Sequence, residues 1–328
     1  MIKIAYSPTL LLVMLVCALY AAPAHARARV FVASYGNDAN PCTFGSPCKT
    51  FQHAHDVVDV GGEVTAIDSA GFGPINITKS VTITSPDGVE AGIVPNPPTA
   101  DAIDINAAPS DVIVLRGLTL NGSGVAFNGI VFNSGGSLTV TNCTLQNFVG
   151  PNPTGGNGIL MQPTSGTIDF TITNTTASNN STFGIGYRPQ AGTHNANGVI
   201  DHVVTNANGT GIFIFTGGAG GGTTVVNVSN SIASDNANGT GVFVQNISST
   251  PINASIDNVN VSGNSIGVSV VGTANVVLGR SVITGNTTGV DNSTQMNTFY
   301  TYKDNRINLN GTDFDSGGFP LNATFALR

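Results

Sequence analysis

Tryptophan is absent from all 328 residues and charge is scarce: 11 Lys and Arg against 18 Asp and Glu amount to 9% of the chain. So little basic surface argues against nucleic acid or an anionic membrane as partner, because both are held by clustered cations. Cysteine is rare as well, with four in total. After residue 22 no stretch approaches the ~20 apolar residues that a membrane-spanning helix requires, so no span is expected in the mature chain. The one apolar run, residues 10–22, follows Lys3 and precedes Ala24-His25-Ala26, a small-x-small cleavage pattern. Residues 1–26 therefore read as a secretory signal peptide, and the expected location is periplasmic or extracellular.

What is abundant is Gly, Asn, Ser and Thr, together with 41% hydrophobic residues, many of them β-branched. A disordered chain of low charge would lack that apolar content, so a folded, strand-rich protein is expected. Cys42 and Cys48 bracket the loop PCTFGSPC and are expected to pair as a disulfide in an oxidising compartment. Cys143 is left over and reads as a buried apolar thiol.

The segment ANGTGIFIF at residues 207–215 returns as ANGTGVFVQ at residues 237–245. Following it along the chain places a glycine before Ile or Val at Gly129, Gly158, Gly184, Gly211, Gly241, Gly267 and Gly289. A second column, Asn180, Asn208, Asn236, Asn264 and Asn286, is spaced 28, 28, 28 and 22 residues. Six residues before each stands Asn174, His202, Asn230, Asn258 and Arg280. Units this short cannot bury an apolar face alone and must stack on their neighbours.

Inside the repeat, Ile172, Ile200, Val228, Ile256 and Leu278 alternate with Thr173, Asp201, Ser229, Asp257 and Gly279 at period two, which is strand geometry. The Ile and Val after each glycine form another column, so the spacing predicts two strands per circuit of a β-solenoid. Asn suits its corners, because it tolerates left-handed backbone and its amides can bond from coil to coil. Ahead of the coils, KTFQHAHDVVDVGG predicts a helix with Thr50 as N-cap and Phe51, Ala54, Val57 and Val58 on one face, covering an open edge.

This pattern, with RVFVASYGNDANPC, PCKTFQHAHDVV and GGEV near the start and YKDNRINLNGT near the end, resembles the secreted bacterial β-helix proteins of the pectin lyase-like superfamily. The resemblance covers residues 29–310. It implies an all-β, single-domain right-handed parallel β-helix with a short N-terminal capping helix. The expected boundaries are 1–26 signal peptide, 27–62 N-terminal cap, 63–310 coils and 311–328 C-terminal cap.

The superfamily's lyases, hydrolases and esterases mark their sites with motifs that are mostly missing here. Lysines in the mature chain are Lys49, Lys79 and Lys303, none beside a carboxylate cluster. There is no Asp-Asp and no Gly-His-Gly, and Arg306-Ile307-Asn308 departs from the Arg-Ile-Lys of polygalacturonases. Gly166-Thr167-Ile168-Asp169-Phe170 and Leu278-Gly279-Arg280 resemble pectin esterase motifs, but four coils at ~4.8 Å each separate Asp169 from Arg280 by about 19 Å.

Two constellations remain. Asp201 and Asp257 share an outward column two coils apart, roughly 9–10 Å, near the upper limit for an inverting acid/base pair; the alternative is a pair of solvated carboxylates. His202 is expected to face inward as a ladder member. Phe213 and Phe243, with Phe215, Arg188, Gln162 and Gln245 beside them, form an outward aromatic stripe edged by amides. Either it is open to a sugar chain or protein, or a loop such as TGGAGGGTT covers it. The leading expectation is a non-enzymatic β-helix that binds polysaccharide or a surface partner, with no cofactor and no metal. The alternatives are a polysaccharide-active enzyme, foremost an acid-dependent glycoside hydrolase, and a structural or adhesive surface protein.

Overall fold

The computed structural model describes residues 27–95, 100–190, 192, 194–217, 222–236, 238–248, 252–292, 298–315 and 323–324. The expected signal peptide, most of the expected C-terminal cap and the middle of TGGAGGGTT lie outside them. The described strands form three wholly parallel sheets: a long sheet of 12 strands and two further sheets of 10. In each, neighbouring strands belong to successive circuits of the chain, the arrangement of a parallel β-helix.

One circuit thus has three strands where the spacing predicted two. The coil from Gly166–Thr173 in the long sheet passes to Thr176–Ser178 in the third sheet and Phe183–Tyr187 in the second before returning at His194–Asp201. Third-sheet strands of three residues with one buried apolar member, such as Ala177, Ala233 or Val261, are too short to display a period. They read as corners for that reason.

The columns stack as the sequence indicated. Ile130, Ile159, Ile185, Ile212, Val242, Val268 and Val290 are register partners on successive second-sheet strands, and all are fully buried. At ~1.5–3 kcal/mol for each buried aliphatic side chain, such columns supply much of the driving force for stacking. In the long sheet the matching column contains Gly198, where a Cβ would lie 2.1 Å from the Phe170 ring; the glycine makes room for that ring.

The asparagine column is a continuous hydrogen-bonded ladder. Asn180 Nδ2 donates to Asn208 Oδ1 at 3.0 Å, and the Asn208 backbone N–H donates to Asn236 Oδ1 at 2.9 Å. Asn236 donates to Asn264, Asn264 to Asn286 and Asn286 to Asn310, each at 2.9 Å through Nδ2. Asn310 and the terminating acceptor Asp313 Oδ1, 2.9 Å away, extend the ladder beyond the residues recognised in the sequence. The ladder also resolves the ANGTG echo. Strand register pairs Ile212 with Val242, thirty residues apart, whereas the ladder pairs Asn208 with Asn236, so this circuit carries two extra corner residues.

Six residues upstream, Asn174, His202, Asn230, Asn258 and Arg280 all adopt left-handed backbone, with φ between 48° and 53°. That conformation interrupts strand alternation and turns the side chain outward. His202 is accordingly 60% exposed, not inward as its parity predicted.

At the N-terminal end, strand Arg29–Val32 pairs with Gly62–Ala66, and helix α1 (Phe51–Val57) packs beneath the first coil. Thr50 caps it, its hydroxyl accepting from the His53 N–H at 3.2 Å, while Phe51, Ala54 and Val58 join the main core. The Cys42–Cys48 disulfide forms beside this cap. Cys143 is buried, and burial pushes its thiol up to about 11, which leaves it inert. At the other end, Thr312–Asp315 pairs with Thr288–Asp291, so the last coil runs past residue 310. No described helix is long and apolar enough to cross a membrane.

Substituting Asn236→Ala strips the Asn208 N–H of its buried acceptor, and the expected loss is about 2 kcal/mol. The exposed strand substitution Asn227→Ala is expected to cost within about 0.5 kcal/mol. Urea unfolding midpoints of the two variants against the parent measure the difference.

Candidate functional site

The two acids singled out in the sequence do share an outward column of the long sheet, in the order Thr173, Asp201, Ser229, Asp257, Gly279 on successive strands. Each is already committed. Asp201 Oδ1 accepts from the Ser229 hydroxyl at 2.6 Å and from Asn230 Nδ2 at 2.7 Å, while its Oδ2 lies 2.6 Å from His202 Nδ1. The Ser229 hydrogen bond first of all, opposed by slight burial and aided by His202 and Asn230, holds the Asp201 carboxyl down to about 2. An ionised carboxylate only accepts, so His202 Nδ1 donates.

Asp257 forms a two-pronged pair with Arg280: Nε donates to Oδ1 at 2.9 Å and Nη2 to Oδ2. The Arg280 backbone N–H in turn donates to Asp304 Oδ1 at 2.9 Å. Arg280 is therefore the partner of Asp257, and it remains four strand steps from Asp169, which the esterase-like motifs had placed beside it. Asp169 accepts instead from Asn197 Nδ2 at 2.9 Å.

Around this pair lie three adjoining recesses, two on the outer face of the long sheet and one along its corner, over the first residues of the third-sheet strands. One of about 460 Å³ is lined by Ser255, Asp257, Val277, Arg280, Tyr302 and Asp304. A second of about 420 Å³ shares Ser255 and Val277 and adds Asn227, Asn253, Asn275 and Tyr300. A third of about 430 Å³ shares Arg280 and reaches His202, Asn230 and Asn258 along the left-handed corner. Together they make one shallow trough crossing the strands from His202 to Tyr302, about 19 Å over four strand steps. Gly279 shapes its centre: a Cβ there would come within 3.0 Å of both the Tyr302 ring and Asp257, so the bare backbone seats the tyrosine beside the ion pair.

The second-sheet face holds the expected aromatic stripe, and its centre is closed. Register places Leu160, Gly186, Phe213 and Phe243 on successive strands. Phe183, which the sequence reading passed over, folds across Gly186 and stacks on Phe213 at 4.6 Å between centroids. Phe213 also meets Phe243 at 5.2 Å and Phe215 at 5.7 Å, and is left 7% exposed. Phe215 and Phe243 are half-buried, with the Arg188 guanidinium 5.8 Å above the Phe215 ring. Gln162 and Gln245 lie in the same outward column, Gln245 opposite Phe215. Of the six residues anticipated there, Phe213, Phe215 and Phe243 join Leu160 and Phe183 in a small apolar cluster of its own, with Arg188 above Phe215.

Two further carboxyls had no sequence signal. Asp101 accepts from Asn128 Nδ2 at 2.7 Å, and burial pushes it up to about 6 beside Asp104, itself raised by burial. Nothing in the sequence placed residue 101 near the first coils' outer face. Among the described residues one His/Cys cluster has metal-ligand proximity, Cys42, Cys48 and His53, but both of its sulfurs are joined in the disulfide.

The architecture is that of a parallel β-helix. Among solved structures the chain is similar to the pectate lyase Pel9A, at 18% identity over 88% of this chain and 72% of that one, with a TM-score of 0.51. It is also similar to the GH136 lacto-N-biosidase from Eubacterium ramulus, at 11% identity over 88% of this chain and 66% of that one, with a TM-score of 0.48. No protein-family model and no curated protein matches the chain. At 18% identity the likeness to the pectate lyase is one of fold.

Because Asp201 is held below the ordinary ~3.9 of an aspartate, it stabilises the folded state above that value, and the contribution disappears as pH falls towards about 2. Melting temperatures of the parent should exceed those of Asp201→Asn at pH 6, and the gap should close towards pH 2. Equal gaps at both pH values would mean that the carboxylate does not carry the interaction. Phe213→Ala is expected to lose about 3 kcal/mol, as a buried ring does, measured by the same melts.

Proposed function

We propose that the protein binds a polysaccharide chain in the trough on the outer face of the long sheet and does not cleave it. The observation that carries this reading is the trough itself. It is open, runs across five successive strands, and presents side-chain amides and hydroxyls around two tyrosines, Tyr300 and Tyr302. Sugar rings offer apolar faces to an aromatic side chain and hydroxyls to neighbouring amides, the mixture found here. Tyr302 is 37% exposed, whereas the second-sheet ring Phe213 is 7% exposed, which favours the long sheet as the docking face.

The chemistry for hydrolysis is not supported at the same place. A general acid must hold its proton near neutral pH, which calls for a raised carboxyl. Asp201 is shifted the other way, and Asp257 is engaged by Arg280. Two strand steps, about 9.6 Å, also put the pair at the outer limit for an inverting mechanism, with Ser229 between them. The pectate lyase Pel9A, which shares the fold, is by name a polysaccharide-acting protein, and that sets the ligand class to test first.

Native gels cast with neutral and acidic polysaccharides test the reading. Retarded migration of the parent is expected on at least one of them, with the retardation lost in Tyr302→Ala and kept in Phe243→Ala. No retention on any glycan, or loss in Phe243→Ala alone, would overturn it. No reducing ends should be released from a retained glycan.

A further inference from the structure

Resting on the reading of the trough as a glycan site, we infer that it selects uncharged glycans and excludes polyuronates. The argument is one of free cations. A chain bearing a carboxylate on every sugar needs cationic groups that are available to it, because each buried or crowded carboxylate must be compensated. The lining of the trough holds one guanidinium, Arg280, against the carboxylates of Asp257 and Asp304. Asp201 lies outside the lining, bonded to His202 at the far end, and its carboxyl is held down to about 2.

The charge of Arg280 is already compensated, although its side chain is 66% exposed. Its Nε and Nη2 are both taken by the two oxygens of Asp257, the paired geometry that makes guanidinium–carboxylate contacts strong and directional. Asp304 approaches the same residue through the backbone N–H. A uronate that displaced Asp257 from Arg280 would leave Asp257 without its partner and place a second carboxylate next to it and to Asp304. The exchange gains nothing and adds like-charge repulsion.

Among the other charged groups, Arg306 is exposed and in register with Val282 on the third-sheet side, and it is not part of the lining of the two long-sheet recesses. Asp169, on the long-sheet face, is a further anion and accepts from Asn197. Lys303 stands between Tyr302 and Asp304 in the chain and is exposed, but it does not line the recesses. His202 is held by Asp201 through Nδ1. The rest of the polar lining is neutral: Asn227, Ser255, the two tyrosines, and Asn253 and Asn275, of which Asn275 Nδ2 donates to Asn253 Oδ1 at 2.9 Å. Those groups suit the hydroxyls and ring faces of an uncharged hexose polymer.

The experiment compares retention on an uncharged glucan or galactan with retention on polygalacturonate of similar length, at low salt, once with calcium and once with chelator. The parent should be retained on the uncharged polymer at least about tenfold more strongly, a difference of ~1.4 kcal/mol. Asp257→Asn, which frees the guanidinium and removes one anion, should raise the polygalacturonate-to-neutral retention ratio about tenfold. Asp304→Asn should raise it less, and adding Arg280→Gln to Asp257→Asn should cancel the gain. Equal retention of the parent on both polymers, with or without calcium, overturns the selectivity while leaving glycan binding standing. An unchanged ratio in a folded Asp257→Asn variant overturns it as well. No retention of the parent on any polymer removes the site and the selectivity together.

Discussion

Every coil from Asn180 to Asn310 is tied to the next by a buried side-chain amide, and the rest of the solenoid depends on that tie. An amide inside the protein that lost its partner would cost more than the bond contributes when made, so each asparagine holds the next coil to one register. A shift of one residue anywhere would turn the Ile and Val columns out to solvent. The ladder ends on Asp313, whose carboxylate accepts from both the backbone and the side chain of Asn310. The apolar columns supply the drive to stack; the amides decide which residue stacks on which.

The candidate site follows from the same constraint. With the ladder corner set, the chain six residues upstream has to pass through a left-handed bend on every coil, and its side chains point outward in a row. Four members of that row, His202, Asn230, Asn258 and Arg280, border the trough. Asn258 Nδ2 donates to Asn230 Oδ1 at 2.7 Å, and Asn230 Nδ2 to Asp201 Oδ1 at the same distance, so the bends are cross-linked by their own polar groups. The trough is thus a rigid product of the repeat, shaped where two coils depart from it: Gly279 omits a side chain and Tyr302 occupies the space.

Much of the fold was legible because it recurs. Period-two alternation exposed the long-sheet strands, the glycine-led Ile/Val column exposed the second sheet, and the 28-residue asparagine spacing exposed the ladder. The third sheet was not legible, since a three-residue strand with one inward side chain carries no period. His202 was misplaced because parity counts assume extended backbone, and a left-handed residue breaks that count. The Phe213 patch was located correctly, yet its cover by Phe183 was not, because Phe183 sits three residues from the glycine it covers, in a column that elsewhere holds Asn, Thr or Ile.

By itself, then, the sequence determined the parallel β-helix, its core columns, the capping helix with its disulfide, and the outward placement of Asp201 and Asp257. These are properties of a local pattern repeated at fixed spacing, and each follows from backbone geometry and burial. Only the tertiary structure decided that Asp257 is bound by Arg280, that Asp201 is held by Ser229, Asn230 and His202, that the centre of the phenylalanine stripe is closed, and that the open surface lies on the long sheet beside Tyr302. Apart from the contact between the adjacent Asp201 and His202, those pairings join residues on different coils by side-chain reach, and side-chain reach across coils has no period to be read.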